Sequence, residues 1–331
     1  MGRMTSGTAL AGQLMRGDVR SIARAISCIE NEVPEARSVL RGVFSATGRA
    51  YVIGVTGAPG AGKSTLVDGL VRLARDESIP AAVLAVDPSS PFSRGAILGD
   101  RIRMQAHAGD SGVFIRSMSA RGQLGGLARA TRNAVHVLDA AGYALIIVET
   151  VGVGQSELDI AGAADTTLVV VTPHMGDTVQ TLKAGILEIA DVFALNKSDQ
   201  DGARRTLRAL GEMLHMGQAR PWSVPIVETQ GLEGTGLGDL WAALGRHRAY
   251  LEQSGELDRR RAARLHSEVV DLVHHGLRND VLAGLMAGAQ SEAVLRAVLA
   301  REIDPDSGAQ AILSGLTRAA PSETPLPGVC S

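Results

Sequence analysis

Aromatic residues make up only 3% of this 331-residue chain, and its two cysteines, Cys28 and Cys330, stand near opposite ends. So few rings exclude the stacking platforms on which single-stranded nucleic acids are bound. Lysine and arginine (33 together) are matched by aspartate and glutamate (35), which leaves no basic footprint for a nucleic acid partner. Two distant cysteines form neither a disulfide framework nor a CxxC metal site, so a reducing, cytoplasmic setting is expected. No apolar run approaches the roughly eighteen residues of a membrane span. The stretch from Tyr143 to Val153 is interrupted by Glu149, and no membrane partner is expected. Met1 to Ser6 fits the loose N-myristoylation pattern, but a polar terminus accounts for those residues equally well.

What the chain does have is glycine in a particular place. Gly57-Ala58-Pro59-Gly60-Ala61-Gly62-Lys63-Ser64 satisfies G-x-x-x-x-G-K-[ST] at every fixed position. The apolar Tyr51 to Thr56 reads as a buried strand before it. Leu66, Val67, Leu70 and Leu73 give helical spacing after it, from Ser64 to Asp76. Backbone N–H groups of such a loop converge on phosphate oxygens, and the following helix points its positive end at the same charge. Lys63 is expected to reach the β- and γ-phosphates, Ser64 to hold Mg²⁺, and Thr65 to complete the set of nucleotide contacts.

Three further stretches fit the same chemistry. Asn196-Lys197-Ser198-Asp199 follows the apolar Val192 to Leu195 and matches N-K-x-D. A carboxylate at Asp199 accepts from N1–H and the exocyclic amine of guanine, whereas adenine would leave it unmatched. Lys197 is expected to lie along the base and Asn196 to tie this loop to the phosphate loop. Glu149-Thr150-Val151-Gly152 ends another apolar run. Glu149 is placed to order the Mg²⁺ shell, and the Gly152 N–H to sense the γ-phosphate. Val153 follows where a water-orienting glutamine is common, and the nearest amide is Gln155, so slow unaided hydrolysis is expected. Asp87 and Asp100 are the remaining candidates for Mg²⁺, acting mostly through water.

Short apolar segments (Ala82 to Val86, Val113 to Arg116, Ala144 to Glu149, Thr167 to Thr172, Val192 to Leu195, Val224 to Val227) alternate with helical ones. The fold expected is α/β, a P-loop NTPase domain with a mostly parallel sheet flanked by helices, over residues 51–250. A helical extension precedes it (1–50), broken near Pro34, and a helical arm and tail follow it (251–331). Arg259-Arg260-Arg261 and Arg264, surrounded by acidic residues, read as a solvated face. The apolar stripe Val269, Leu272, Val273 and Leu277 is left to pack on a partner or on the helical prefix. Residues 304–331, rich in Pro, Ser, Gly and Ala, read as partly disordered. The eight histidines are scattered and read as surface or packing residues.

Taken together, the motifs make the chain similar to the MeaB/ArgK group of GTPases. Besides the loops above, the likeness rests on Leu84 to Ser90, Ile97 to Asp100, Arg103-Met104, Phe114 to Arg116, Leu124 to Gly126, Val148 to Glu157, and Gly176 to Asp191. It implies a cytoplasmic, homodimeric GTPase that binds GTP and GDP with Mg²⁺. As a chaperone it would gate cofactor loading and protection of an adenosylcobalamin-dependent acyl-CoA mutase, methylmalonyl-CoA mutase first. By the same resemblance Ser64, Asp87, Asp100 and Glu149 surround Mg²⁺, Asp177 and Lys183 belong to a third switch element, and Gln230-Gly231 lie beneath the guanine. The C-terminal helices resemble a dimerisation arm. Arg94 and His174-Met175 depart from the group, where glycine is commoner, and stiffen segments expected to move. The rival readings are a nickel-insertion GTPase, an ATP-dependent kinase of basic amino-acid transport, and a binding module with a structural nucleotide.

Overall fold

The computed structural model describes residues 7–87, 107, 109–119, 126–150, 162–173, 188–216, 221–277 and 289–318. The chain divides into two compact units, Met1–Arg264 and Leu265–Ser331.

In the first unit three helices, α1 (Gly7–Leu14), α2 (Val19–Glu30) and α3 (Glu35–Val43), precede β1 (Tyr51–Gly57) and α4 (Lys63–Asp76). Then come β2 (Ala81–Asp87), β3 (Val113–Ser119), α5 (Gly126–Ala140), β4 (Leu145–Thr150), β5 (Thr166–Val171) and β6 (Val192–Asn196). The unit closes with α6 (Ala203–Met216), β7 (Ile226–Thr229), α7 (Leu237–Ser254) and the start of α8 (Glu256–Gly276). The described strands form one sheet in the order β3-β2-β4-β1-β5-β6-β7, and every pair is parallel. This is the α/β architecture the alternation predicts.

Parallel strands are covered on both faces, and the side-chain period of two sorts β1 accordingly. Val52, with Leu84, Ile146 and Val148, faces a core completed by Leu10, Leu14, Ile22, Ile26, Val39 and Val43 of the helical prefix and by α5. The prefix therefore shares the core of the sheet. Ile53 and Val55 face the other way, onto Leu66, Val67 and Leu70 of α4 and Leu240 and Leu244 of α7. A third cluster joins Val169, Val171, Phe193 and Leu195 to α6. Asp18 caps α2 by accepting from the Ser21 N–H at 2.9 Å, and Pro34 stands at the N-terminus of α3.

One reading of the sequence needs correction here, and one strand shifts. Of the arginines of α8 read as a solvated face, Arg259 is 71% exposed, but Arg260, Arg261 and Arg264 are engaged by the body of the domain. Arg261 binds Asp165, a carboxylate with no exposed surface, at 2.8 and 3.1 Å, and donates to the carbonyls of Gly48 and Ala50 at 2.7 Å. Arg264 bonds the same carboxylate and the Ala164 carbonyl, and Arg260 reaches Asp191 at 3.1 Å. Their carboxylate partners lie 69 to 99 residues upstream, which is why local charge pattern pointed elsewhere. Within the segment from Asp304, residues Pro305–Arg318 are helical, and those after Arg318 lie outside the described residues. In the second unit α9 (Ala289–Leu299) and α10 (Pro305–Arg318) are helices, and Asp304 caps α10 by accepting from the N–H groups of Asp306 and Ser307 at 3.0 Å. Gly308 lets α10 approach α9, since a Cβ there would meet Val298 at 2.7 Å. Finally, β7 begins at Ile226, after Pro225, whose carbonyl accepts from Phe193 N–H at 2.9 Å. Among the described residues no helix is long and apolar enough to cross a membrane.

Candidate nucleotide site

Because the strands are parallel, the loops leaving the carboxyl ends of β4, β1, β6 and β7 gather at one rim of the sheet. There they enclose a cavity of about 870 Å³. It is lined by Pro59, Gly60 and Gly62 to Thr65 from the phosphate loop, Glu149 and Thr150 from β4, Asn196, Lys197 and Asp199 after β6, and Gln230 and Gly231 after β7.

The loop between β1 and α4 is shaped by its glycines. Gly57 has φ +140°, and a Cβ there would lie 2.2 Å from the Val170 carbonyl oxygen of β5. Gly62 has φ +91°, and a Cβ there would strike Asn196 Nδ2 at 2.3 Å. The second clash ties two distant motifs together, because the last glycine of the phosphate loop makes room for the asparagine of N-K-x-D. Asn196 uses that room: its Nδ2 donates to Ala61 O at 2.8 Å, while its Oδ1 accepts from Gly231 N–H at 3.0 Å and Thr229 Oγ–H at 3.2 Å. One buried side chain thus joins the loops after β1, β6 and β7. Lys197, at φ +58°, extends its ammonium to Gly60 O at 2.9 Å.

Lys63 is 6% exposed, and its ammonium donates to Gly57 O at 2.8 Å and Ala58 O at 3.0 Å. A buried cation held by neutral carbonyls at the positive end of a 14-residue helix is suited to exchange those acceptors for phosphate oxygens. Ser64 Oγ donates to Glu149 Oε1 at 2.6 Å, and Glu149 is 2% exposed. A hydroxyl and a carboxylate meeting in this way form a hard oxygen donor set, which fits Mg²⁺ held by few protein ligands, phosphate oxygens and water. Thr150 Oγ1 lies 3.2 Å from Thr56 Oγ1 and fixes the end of β4 against β1.

Among the expected site residues, Asp87 ends β2 with its side chain outside the described residues, and Asp100, Gly152, Gln155, Asp177 and Lys183 lie outside them entirely. Other residues were missed. Thr229 positions Asn196, and Asp68, Gln200, Leu232 and Glu233 also line the cavity. Asp68 was findable, since it stands one helical turn beyond Ser64; Thr229, the last residue of β7, and Leu232, in the loop after it, carry no spacing signal.

The family described as methylmalonyl-CoA mutase-associated GTPase MeaB matches residues 22–286. The chain belongs to this family. A Pyrococcus abyssi protein named as a GTPase is 46% identical to this MeaB-family chain over 308 residues, covering 92% of it and 95% of that protein. GTPase ArgK of Escherichia coli is 32% identical over 296 residues, covering 87% and 88%. The mouse mitochondrial methylmalonic aciduria type A homolog is 35% identical over 216 residues, 64% of this chain and 52% of that protein. A solved structure described as an LAO/AO transport system kinase aligns with TM-score 0.70 at 25% identity, covering 96% of this chain and 99% of that one. MeaB-family membership makes this chain one of the P-loop GTPases and implies a guanine nucleotide as its ligand.

Proposed function

We propose that this protein hydrolyses GTP to GDP and phosphate, and that its two nucleotide states gate cofactor loading and protection of an adenosylcobalamin-dependent acyl-CoA mutase, methylmalonyl-CoA mutase first. The observation that supports this best is the Asn196 junction, which fixes Asp199 on the same cavity as Lys63 and Ser64. A carboxylate there complements the two N–H groups of guanine and argues against an ATP-dependent kinase. The family name and the mouse relative's name point to the mutase.

In this reading Lys63 leaves the Gly57 and Ala58 carbonyls to neutralise charge developing on the β–γ bridge and γ-phosphate oxygens. Ser64 and Glu149 would hold Mg²⁺, which when bound adds charge neutralisation on the same oxygens; Asp87 and Asp100 are the further candidates. The Gly152 N–H would sense the γ-phosphate and Gln155 is the nearest amide for the attacking water, so unaided turnover is slow. Asp177 and Lys183 would relay nucleotide state to the mutase. The exposed stripe on α8, with Val269 60%, Leu272 48%, Val273 53% and Leu277 52% exposed, would pair with a second copy in a cytoplasmic homodimer.

The test is GTP turnover by the purified protein, alone and with cobalamin-loaded methylmalonyl-CoA mutase. A low rate that the mutase raises, and that Lys63→Ala abolishes with the fold intact, is the expected result. Activity retained in Lys63→Ala would overturn the hydrolysis reading, and a rate indifferent to the mutase would overturn the choice of client.

A further inference from the structure

Gln200 stands one residue beyond Asp199 and has no part in the function described so far, yet it lines the nucleotide cavity together with Asp199, Lys197 and Gln230. Its side-chain Oε1 is buried and has no hydrogen-bond partner among the described residues. A buried carbonyl oxygen without a donor is costly, and native folds leave few of them. The turn that carries it is pinned by backbone groups. Gln200 N–H donates to Lys197 O at 3.0 Å, Gln200 O accepts from Ala203 N–H at 3.3 Å where α6 begins, and Ser198 N–H donates to Thr229 O at 3.1 Å. Asp199 and Gln200 are thus consecutive residues of one fixed turn on the cavity wall.

Gln200 also borders a second cavity, of about 780 Å³, whose walls include Arg204, Arg205 and Arg208 of α6. None of these guanidinium groups donates to Oε1. A space lined by arginines collects anions, which bring further acceptors, whereas Oε1 lacks a donor. That donor has to come from the nucleotide side. Guanine brings one to spare, because its exocyclic amine carries two hydrogens. In the proposed pairing Asp199 accepts N1–H with one oxygen and one amine hydrogen with the other, which leaves the second amine hydrogen without an acceptor. A neutral amide suits the adjoining position, since a second carboxylate beside Asp199 would add like-charge repulsion.

We infer that Gln200 is a specificity-determining residue of the guanine site: its Oε1 accepts the exocyclic-amine hydrogen that Asp199 leaves unpaired. The inference rests on the proposed guanine-nucleotide function. It gives the site a second means of rejecting purines that lack the 2-amino group, because such a base leaves the buried oxygen of Gln200 unmatched.

The experiment is calorimetric titration of the full-length protein with GDP and with IDP, the inosine nucleotide that differs from GDP only in lacking the exocyclic amine. Gln200→Met, of similar length but without the polar end, is expected to weaken GDP binding about ten-fold and to leave IDP binding within about two-fold. The preference for GDP over IDP then shrinks about ten-fold. Gln200→Glu keeps an acceptor at the same reach; its charge beside Asp199 weakens both nucleotides alike, and the preference should stay at or above that of the unaltered protein. A loss in Gln200→Met shared equally by GDP and IDP would mean that the residue only shapes the turn, and two unchanged affinities would mean that water satisfies its oxygen. Either result, or loss of the preference in Gln200→Glu, would overturn the inference while leaving the nucleotide function standing. An unaltered protein that binds ADP in preference to GDP would overturn the function itself and this inference with it.

Discussion

If Asp199 reads the guanine edge as proposed, base selection rests on single atoms. A carboxylate offers only acceptors to a base edge that offers donors, so replacing one of its oxygens by an amide should reverse the preference. Asp199→Asn is expected to weaken GTP binding about 100-fold or more and to favour xanthosine triphosphate, whose O2 accepts where guanine donates. Competition of the two nucleotides against labelled GDP measures it, and unchanged GTP preference would mean that Asp199 does not read the base. Asn196 contributes differently, through three hydrogen bonds between loops. Asn196→Ala should therefore lower stability by about 2–3 kcal/mol even without nucleotide, visible as a shifted urea midpoint. N-K-x-D was legible because it is a fixed spacing at the end of an apolar strand. Thr229 was not, because a threonine at a strand end has many ordinary uses.

Helix α8 begins as a strap across the amino ends of β5 and β6, on the rim away from the nucleotide cavity. Asp165 is buried, which by itself would raise its pKa. The Arg261 and Arg264 guanidiniums outweigh that cost and hold it below the usual carboxylate range. Beside it His247 is fully buried between Thr166 Oγ1, 2.7 Å from Nδ1, and Trp222, with ring centroids 4.8 Å apart. Burial lowers the His247 pKa, and the positive Arg260 adds to this while Asp191 opposes it. The imidazole is therefore neutral, and its 3.4 Å approach to Asp191 is not an ion pair at neutral pH. The two groups act in separate windows. The stability due to a neutral His247 is complete above its unfolded pKa of about 6.5 and is lost as pH falls toward the lower folded value. That due to ionised Asp165 is complete above about 3.9 and is lost as pH falls through its depressed folded value. Denaturation midpoints across pH should fall in two stages. His247→Asn, with an amide in place of the titrating ring, should flatten the first stage. Asp165→Ala should lower stability by about 3 kcal/mol at pH 7 and remove the second.

Among the described residues α8 presents an apolar stripe that they do not cover. Leu265, Val269, Leu272 and Val273 recur at helical spacing on α8 and are 42%, 60%, 48% and 53% exposed. If that stripe pairs two copies, Val269→Asp should shift the protein from dimer to monomer in sedimentation while leaving GDP affinity within about two-fold. A dimer that persists would place the interface elsewhere.

The phosphate loop, the N-K-x-D loop, the sheet and the helices after β1, β3, β6 and β7 were written into the sequence, because each depends on a local period or a fixed spacing. Glycine at 57 and 62 and asparagine at 196 were legible as motif positions, but the reason Gly62 bears no side chain is the distant Asn196. What only the tertiary structure decided were pairings across long stretches of chain: Asp165 with Arg261, Thr166 with His247. Such contacts carry no signature along the sequence, since an arginine that will be buried against a carboxylate and one that will face water look alike until the fold brings the partner within reach.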